Sequence, residues 1–264
     1  MKENLCCTSK DVIQAAIETS GKSMTDFEID PNVFIIFSGF LLNYLKEKTD
    51  IEQIEWLMPF HPYSAPEHIY RGKYKEIPLT VIIPPMGASP LASIAEDSIF
   101  CGAKTILLVC GAWGIGKNVG LLDYLIPTHG LGIDGTSVHY GRKQDEEIEI
   151  SKEIVEIFIK ETKQRTNKFH LGKNFSKEAF YKINEQEIIE LQNKGCISIE
   201  NGELNVLATI CYQKKVKFGA IFYSYYNPLN GWKIPWIEEQ YKGCVSLEGD
   251  IALATMLEIN SMHL

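Results

Sequence analysis

The run Thr105 to Gly120, "TILLVCGAWGIGKNVG", carries an apolar segment into a glycine-rich turn. Such a turn can hold an anion on its backbone amides. A dinucleotide site would need glycines spaced G-x-G-x-x-G and a helix directly behind them. Here the glycines fall at Gly111, Gly114 and Gly116, which is G-x-x-G-x-G. The "KNVGLLDYLIPTHG" that follows contains Gly120 and has no long amphipathic face, so it reads as a loop with Asp123 and then a strand over Tyr124–Pro127. A Rossmann loop is therefore disfavoured. Cys110 stands where the strand meets the glycines, but nothing adjacent in sequence would lower its pKa, which argues against a nucleophilic thiol. His61 with His68, and His129 with His139, lack metal-ligand spacing, so neither a metal nor a cofactor is expected. Glu203 opens an apolar helical segment, where the helix dipole alone favours an acid. Asp26, Glu28 and Asp30 read as a solvated turn.

The elements that position these residues alternate along the chain. The 264 residues are nearly half apolar, enough for one large domain or two small ones. The formal net charge of −8 disfavours a nucleic-acid surface, which would need clustered Lys and Arg. Seven cysteines with no CxxC pair suggest reduced thiols. The start "MKENLCCTSK" has no apolar core of a signal peptide, and no apolar run is long enough for a bilayer. A cytoplasmic protein without a membrane partner is expected. "SKDVIQAAIETSG" predicts a helix, and residues 1–30 read as a helical extension to a domain over 31–264. "NVFIIFSG" predicts a buried strand ending at Gly39, and "FLLNYLKEKTD" a helix. "HIYRGKYKEIPLTVIIPP" predicts a hairpin turning near Lys75, and "SPLASIAEDSIFCG" a helix closed by Gly102. A strand over Thr105–Val109 comes next. "DEEIEISKEIVEIFIKETKQR" predicts an amphipathic helix, with Ile150, Ile154, Val155, Phe158 and Ile159 at helical spacing. "EQEIIELQNKG", "GELNVLATICYQKK" and "LEGDIALATMLEIN" predict helices, and "VKFGAIFYSYY" a buried strand. The alternation implies an α/β fold: a single domain with a central mixed β-sheet flanked by helices.

Four stretches in order resemble the nucleoside phosphorylase-I family, closest to its uridine phosphorylase branch. They are "VIIPPMGASPLASIAEDSIFCGAKT", "TILLVCGAWGIGKNVGLLDYLIPTHGLGIDGTSVHYG", "HLGKNFSKEAFY" and "CISIENGELNVLATIC", and they fall within residues 34–227. The resemblance implies a nucleoside phosphorylase-like domain over 31–264 and a homo-oligomer. It implies that the glycine loop lies beside phosphate and ribose, with Gly39, Cys110 and Gly111 near the ligand. It places Met86 against the sugar and Phe180 against the base. Glu203 takes the place of the glutamate that accepts from the ribose hydroxyls, with Gly202 at the neighbouring methionine position. Trp232 falls where some members carry an aromatic lid.

The departures from that pattern are chemical. Leu108 and Asn43 stand where the family has phosphate-binding arginines, and Phe40 stands for an acid. Arginine suits phosphate because its planar, permanent charge forms bidentate bonds. Two lost charge-assisted contacts, each about 1.5–3 kcal/mol, disfavour orthophosphate as nucleophile. Tyr226 or Asn227 occupies the place of the acid that protonates a departing purine, so Asn227 is the remaining polar candidate there. The expected partner is a small nucleoside or nucleoside-like molecule, cleaved at its N-glycosidic bond with phosphate disfavoured and water or another acceptor in its stead. The alternatives are an inactive binding or storage protein of the same fold, and a specialised biosynthetic enzyme on an unusual nucleoside.

Overall fold

Ten strands and seven helices follow one another through the computed structural model, which describes residues 5–57, 60–61, 66, 68–144, 146–237 and 239–262. The first half holds α1 (Ser9–Ser20), β1 (Asn32–Ile36), α2 (Gly39–Lys48), β2 (Glu52–Ile54), β3 (His68–Tyr74), β4 (Ile77–Ile83), α3 (Ala88–Phe100) and β5 (Thr105–Gly114). The second holds β6 (Tyr124–Gly132), β7 (Ile148–Glu149), α4 (Lys152–Lys163), β8 (Phe169–Ser176), α5 (Glu185–Asn193), β9 (Cys196–Glu200), α6 (Glu203–Lys214), β10 (Lys217–Tyr226) and α7 (Glu239–Ser261).

One side of the sheet is an open wing. β1 is buried at every position and lies parallel to both β4 and β5. Fully buried strands of this kind are continuous apolar runs, as "NVFII" shows. β3 and β4 form the expected hairpin, with Lys75 and Glu76 both at positive φ, as a tight two-residue turn requires. The other side closes on itself. β5 pairs with β10 and with β9, while β6 and β8 link those two, giving the ring β5–β10–β6–β8–β9. Closure leaves no free edge on this side. The result is a single α/β domain with a mixed sheet, part barrel and part wing, wrapped by helices.

Several expected boundaries move. The Thr105 strand runs to Gly114, because Trp113 and Gly114 pair with Ile199 and Ser198 while Gly111 and Ala112 pair with β10. The strand from Tyr124 reaches Gly132, with a register shift between Pro127 and His129. The helix expected from Asp145 starts at Lys152; Ile148 and Glu149 instead pair with β6. β2, β8 and β9 carry no clear signal in the sequence. Asp30 is not solvated. It is buried, bound by Arg71 Nε and Nη2 at 3.1 and 3.0 Å and by the Thr80 hydroxyl at 2.8 Å. Asp26 caps a 3₁₀ turn through Ser23, and Glu28 is exposed.

Helix packing follows the apolar stripes. α4 buries Ile154, Val155 and Phe158 on one face, as its spacing predicts. α1 buries Ile13 and Ala16 in the main core. A smaller core joins α5 to the barrel through Ile188, Leu191, Trp113 and Phe175.

Candidate active site

The carboxyl ends of β1, β5, β9 and β10 open onto one cavity of about 410 Å³, with the amino ends of α2 and α6 at its wall. In α/β folds this end of the strands is where ligands bind.

Its acidic floor is built by the turn from β9 into α6. Gly202 sits at φ +101°, and a Cβ there would lie 2.9 Å from the Ala88 Cβ, so this turn needs glycine. The turn folds Glu200 back onto the start of α6. Glu200 Oε2 accepts from the Glu203 and Leu204 amides at 2.6 and 3.2 Å, which satisfies helix donors that would otherwise be orphaned. Its Oε1 accepts from Asn174 Nδ2 at 2.9 Å and from the Ser176 hydroxyl. Burial, and then the neighbouring Glu203 carboxyl, push the Glu200 acid well above the carboxylate range, while Ser176 and Asn174 pull the other way. Glu203 is itself buried, and its Oε1 accepts from the Gly87 amide at 2.8 Å. Two carboxyl groups thus share one dry corner of the cavity.

The walls are aromatic. A Cβ on Gly111 would fall 2.8 Å from the rings of Tyr223 and Tyr225, so glycine here lets two tyrosines close over β5. Tyr223 and Tyr241 meet hydroxyl to hydroxyl at 3.0 Å. Phe180 packs on Trp113 with centroids 4.6 Å apart. Trp232 and Trp236 stand at the mouth, 6.0 Å apart and partly exposed. Burial pushes the Tyr225 hydroxyl up to about 12 and the Cys110 thiol well above its usual value, so neither ionises near neutrality.

The residues singled out in the sequence divide into two groups. Gly39, Met86, Cys110 and Gly111 line the cavity, as do Phe180, Glu203 and Trp232. Gly202 lies behind it as the turn residue. Tyr226 packs between Trp113 and Trp232, at 4.9 and 4.7 Å, outside the lining. Asn227 also lies outside, its Oδ1 accepting from the Leu229 amide. Ten lining residues were not read from the sequence, and the most consequential are Glu200, Asn201, Tyr223, Tyr225 and Trp236. The tyrosines were legible in "FYSYY", since residues two apart on a strand share a face and Tyr226 does not belong to that face. Glu200, the first acid of "ENGE", was legible as an acid at a helix start.

Among the described residues, the lining contains no Lys, Arg or His. Leu108 is buried within β5, and Asn43 is exposed on α2. Arg71 is committed to Asp30 and Lys117 is exposed, so neither supplies a cation to the cavity.

Residues 33–234 match the model of the phosphorylase superfamily. The chain belongs to that superfamily. Its fold is similar to that of uridine phosphorylase from Vibrio fischeri ES114. The form complexed with 6-hydroxy-1-naphthoic acid gives a TM-score of 0.74 at 16% identity, covering 88% of this chain and 93% of that one. Another structure of the same protein gives 0.73 at 16% identity, covering 88% and 94%. No protein of curated function matches the sequence. Among the described residues, no helix is long and apolar enough to cross a membrane.

Proposed function

We propose that this protein cleaves the N-glycosidic bond of a nucleoside or nucleoside-like substrate, using water or another acceptor in preference to phosphate. The observation that carries this reading is Glu203, buried in the cavity that Met86, Phe180 and Gly111 also line. Breaking the bond leaves an oxocarbenium-like sugar, which a fixed carboxylate in a dry site stabilises. The same carboxylate accepts from the ribose hydroxyls. Phe180 and Tyr225 offer faces to a base. Gly39, where an added Cβ would meet nothing within 4 Å, leaves room for a small acceptor under the sugar. A phosphate dianion would enter a cavity whose lining, among the described residues, holds no cation, which disfavours it strongly. The protein is proposed to work in the cytoplasm as a homo-oligomer.

A second reading is a binding protein of the same fold. It draws support from Asn227, whose side chain is engaged with its own turn rather than turned to the cavity. A panel of common nucleosides with and without phosphate, followed by release of free base, separates the two. Base release that does not depend on phosphate is expected. Release that rises and saturates with phosphate would overturn the choice of acceptor. Tight binding without release would favour the binding protein.

A further inference from the structure

The cavity has an unusual pairing of linings for a neutral or anionic ligand. Eight of its lining residues are aromatic, its acids are Glu200 and Glu203, and among the described residues no basic side chain faces it. Aromatic faces attract cations through the ring quadrupole, and more strongly where water is excluded. A buried carboxylate beside them adds charge attraction in a low dielectric. One ring at the rim already carries such a contact: the Lys242 ammonium stands 5.9 Å from the centroid of Phe40.

We infer that the preferred substrate carries a fixed positive charge, as a nucleoside whose base is an N-alkylated cationic heterocycle held among Phe180, Tyr225 and the two mouth tryptophans. This rests on the glycosidic reading above and narrows it. The chemistry agrees with what β10 offers. A neutral base leaves as an anion unless an acid protonates it. Tyr225 and Tyr226 end that strand, Asn227 follows it, and none of them carries a carboxyl group. A cationic base needs none. The C1′–N bond breaks, its electron pair passes to the ring nitrogen, and the base departs neutral. Water then adds its oxygen to C1′ and releases one proton to solvent. Glu200 is tied to the α6 amides, Asn174 and Ser176, which leaves Glu203 to face the charge that develops on C1′.

Two measurements test this. The first is base release from 7-methylguanosine, in its cationic form, against guanosine. The cation is expected to react at least about tenfold faster, a factor worth about 1.4 kcal/mol. Equal rates, or a preference for guanosine, would overturn the inference and leave glycosidic cleavage standing. The second is calorimetric titration with tetramethylammonium against tert-butanol, which needs no nucleoside recognition. The cation is expected to bind at least about tenfold tighter, and Glu203→Gln to reduce that preference. Cation selectivity with no nucleoside cleaved would sink the glycosidic reading while supporting the charge preference. No selectivity, or tighter binding of sulfate than of either probe, would overturn it.

Discussion

Glu248 sits on α7 with no exposed surface, and neither of its carboxyl oxygens has a hydrogen-bond partner among the described residues. Burial pushes its pKa well above 4.5, so the folded protein holds this acid protonated. The sign of the consequence follows. The folded state keeps a proton that the unfolded state loses above its ordinary carboxylate pKa. Stability is therefore greatest below about pH 4.5 as far as this group is concerned, and falls as pH rises toward the folded pKa. Glu248→Met removes the penalty at similar volume. It is expected to stabilise by about 1–3 kcal/mol at neutral pH and to flatten the decline of Tm between pH 5 and 8. A variant whose Tm follows the parent's slope would show that another group carries it. Glu203→Gln tests an acid with a hydrogen-bond partner. The amide oxygen can still accept from Gly87, so Tm should hardly move. Loss of a charge aimed at the reacting centre should slow base release by about 100-fold or more. A large fall in Tm, with a rate per folded molecule unchanged, would make Glu203 a structural acid only.

At the scale of elements, the legible parts were those with local periodicity. α3, α4 and α6 declare themselves through apolar spacing, and β1 through an unbroken apolar run. The barrel strands do not. β8 reads "FHLGKNFS", with Gly172 and Lys173 inside it, and takes its partners from β6 and β9 rather than from its own pattern. β9 is five buried residues directly ahead of a helix, and the segment reads as an approach to that helix. β5 outruns its apolar core because distant strands extend its ladder through Trp113 and Gly114. The site follows the same rule. Residues at a helix start, such as Glu203, were readable, whereas Trp236 reaches the cavity only through tertiary packing. The β9–α6 turn makes this testable. Gly202→Ala adds a Cβ in a left-handed conformation against Ala88, at about 1–2 kcal/mol for the backbone alone. Urea unfolding should register that loss. Because the turn also aims Glu203, ligand affinity should fall beyond what instability explains; a stable variant with unaltered binding would separate the turn from the site.

At the scale of the whole molecule, four large exposed apolar side chains gather at one opening: Phe40, Met86, Trp232 and Trp236. Met86 and Trp232 are 65 and 56% exposed, and Ile237, next to Trp236 in the chain, is 76% exposed. Monomeric proteins seldom leave a contiguous apolar patch of this kind uncovered. The barrel hides its own strand edges by closure, so edge pairing does not explain the patch. A second copy of the chain would, because a symmetric contact places the same patch on both partners and would sequester both mouths from water. A dry cavity in turn strengthens every charge interaction at Glu203. Light scattering is expected to give at least twice the 29.9 kDa chain mass. Ile237→Lys should dissociate the assembly, since it would bury a charge without a partner. The monomer so produced should fold with a similar circular dichroism spectrum yet bind ligand more weakly. A parent protein that runs at 29.9 kDa at working concentration would refute self-association, and the exposed rim would then have to be covered by the ligand or by the Trp232 segment itself.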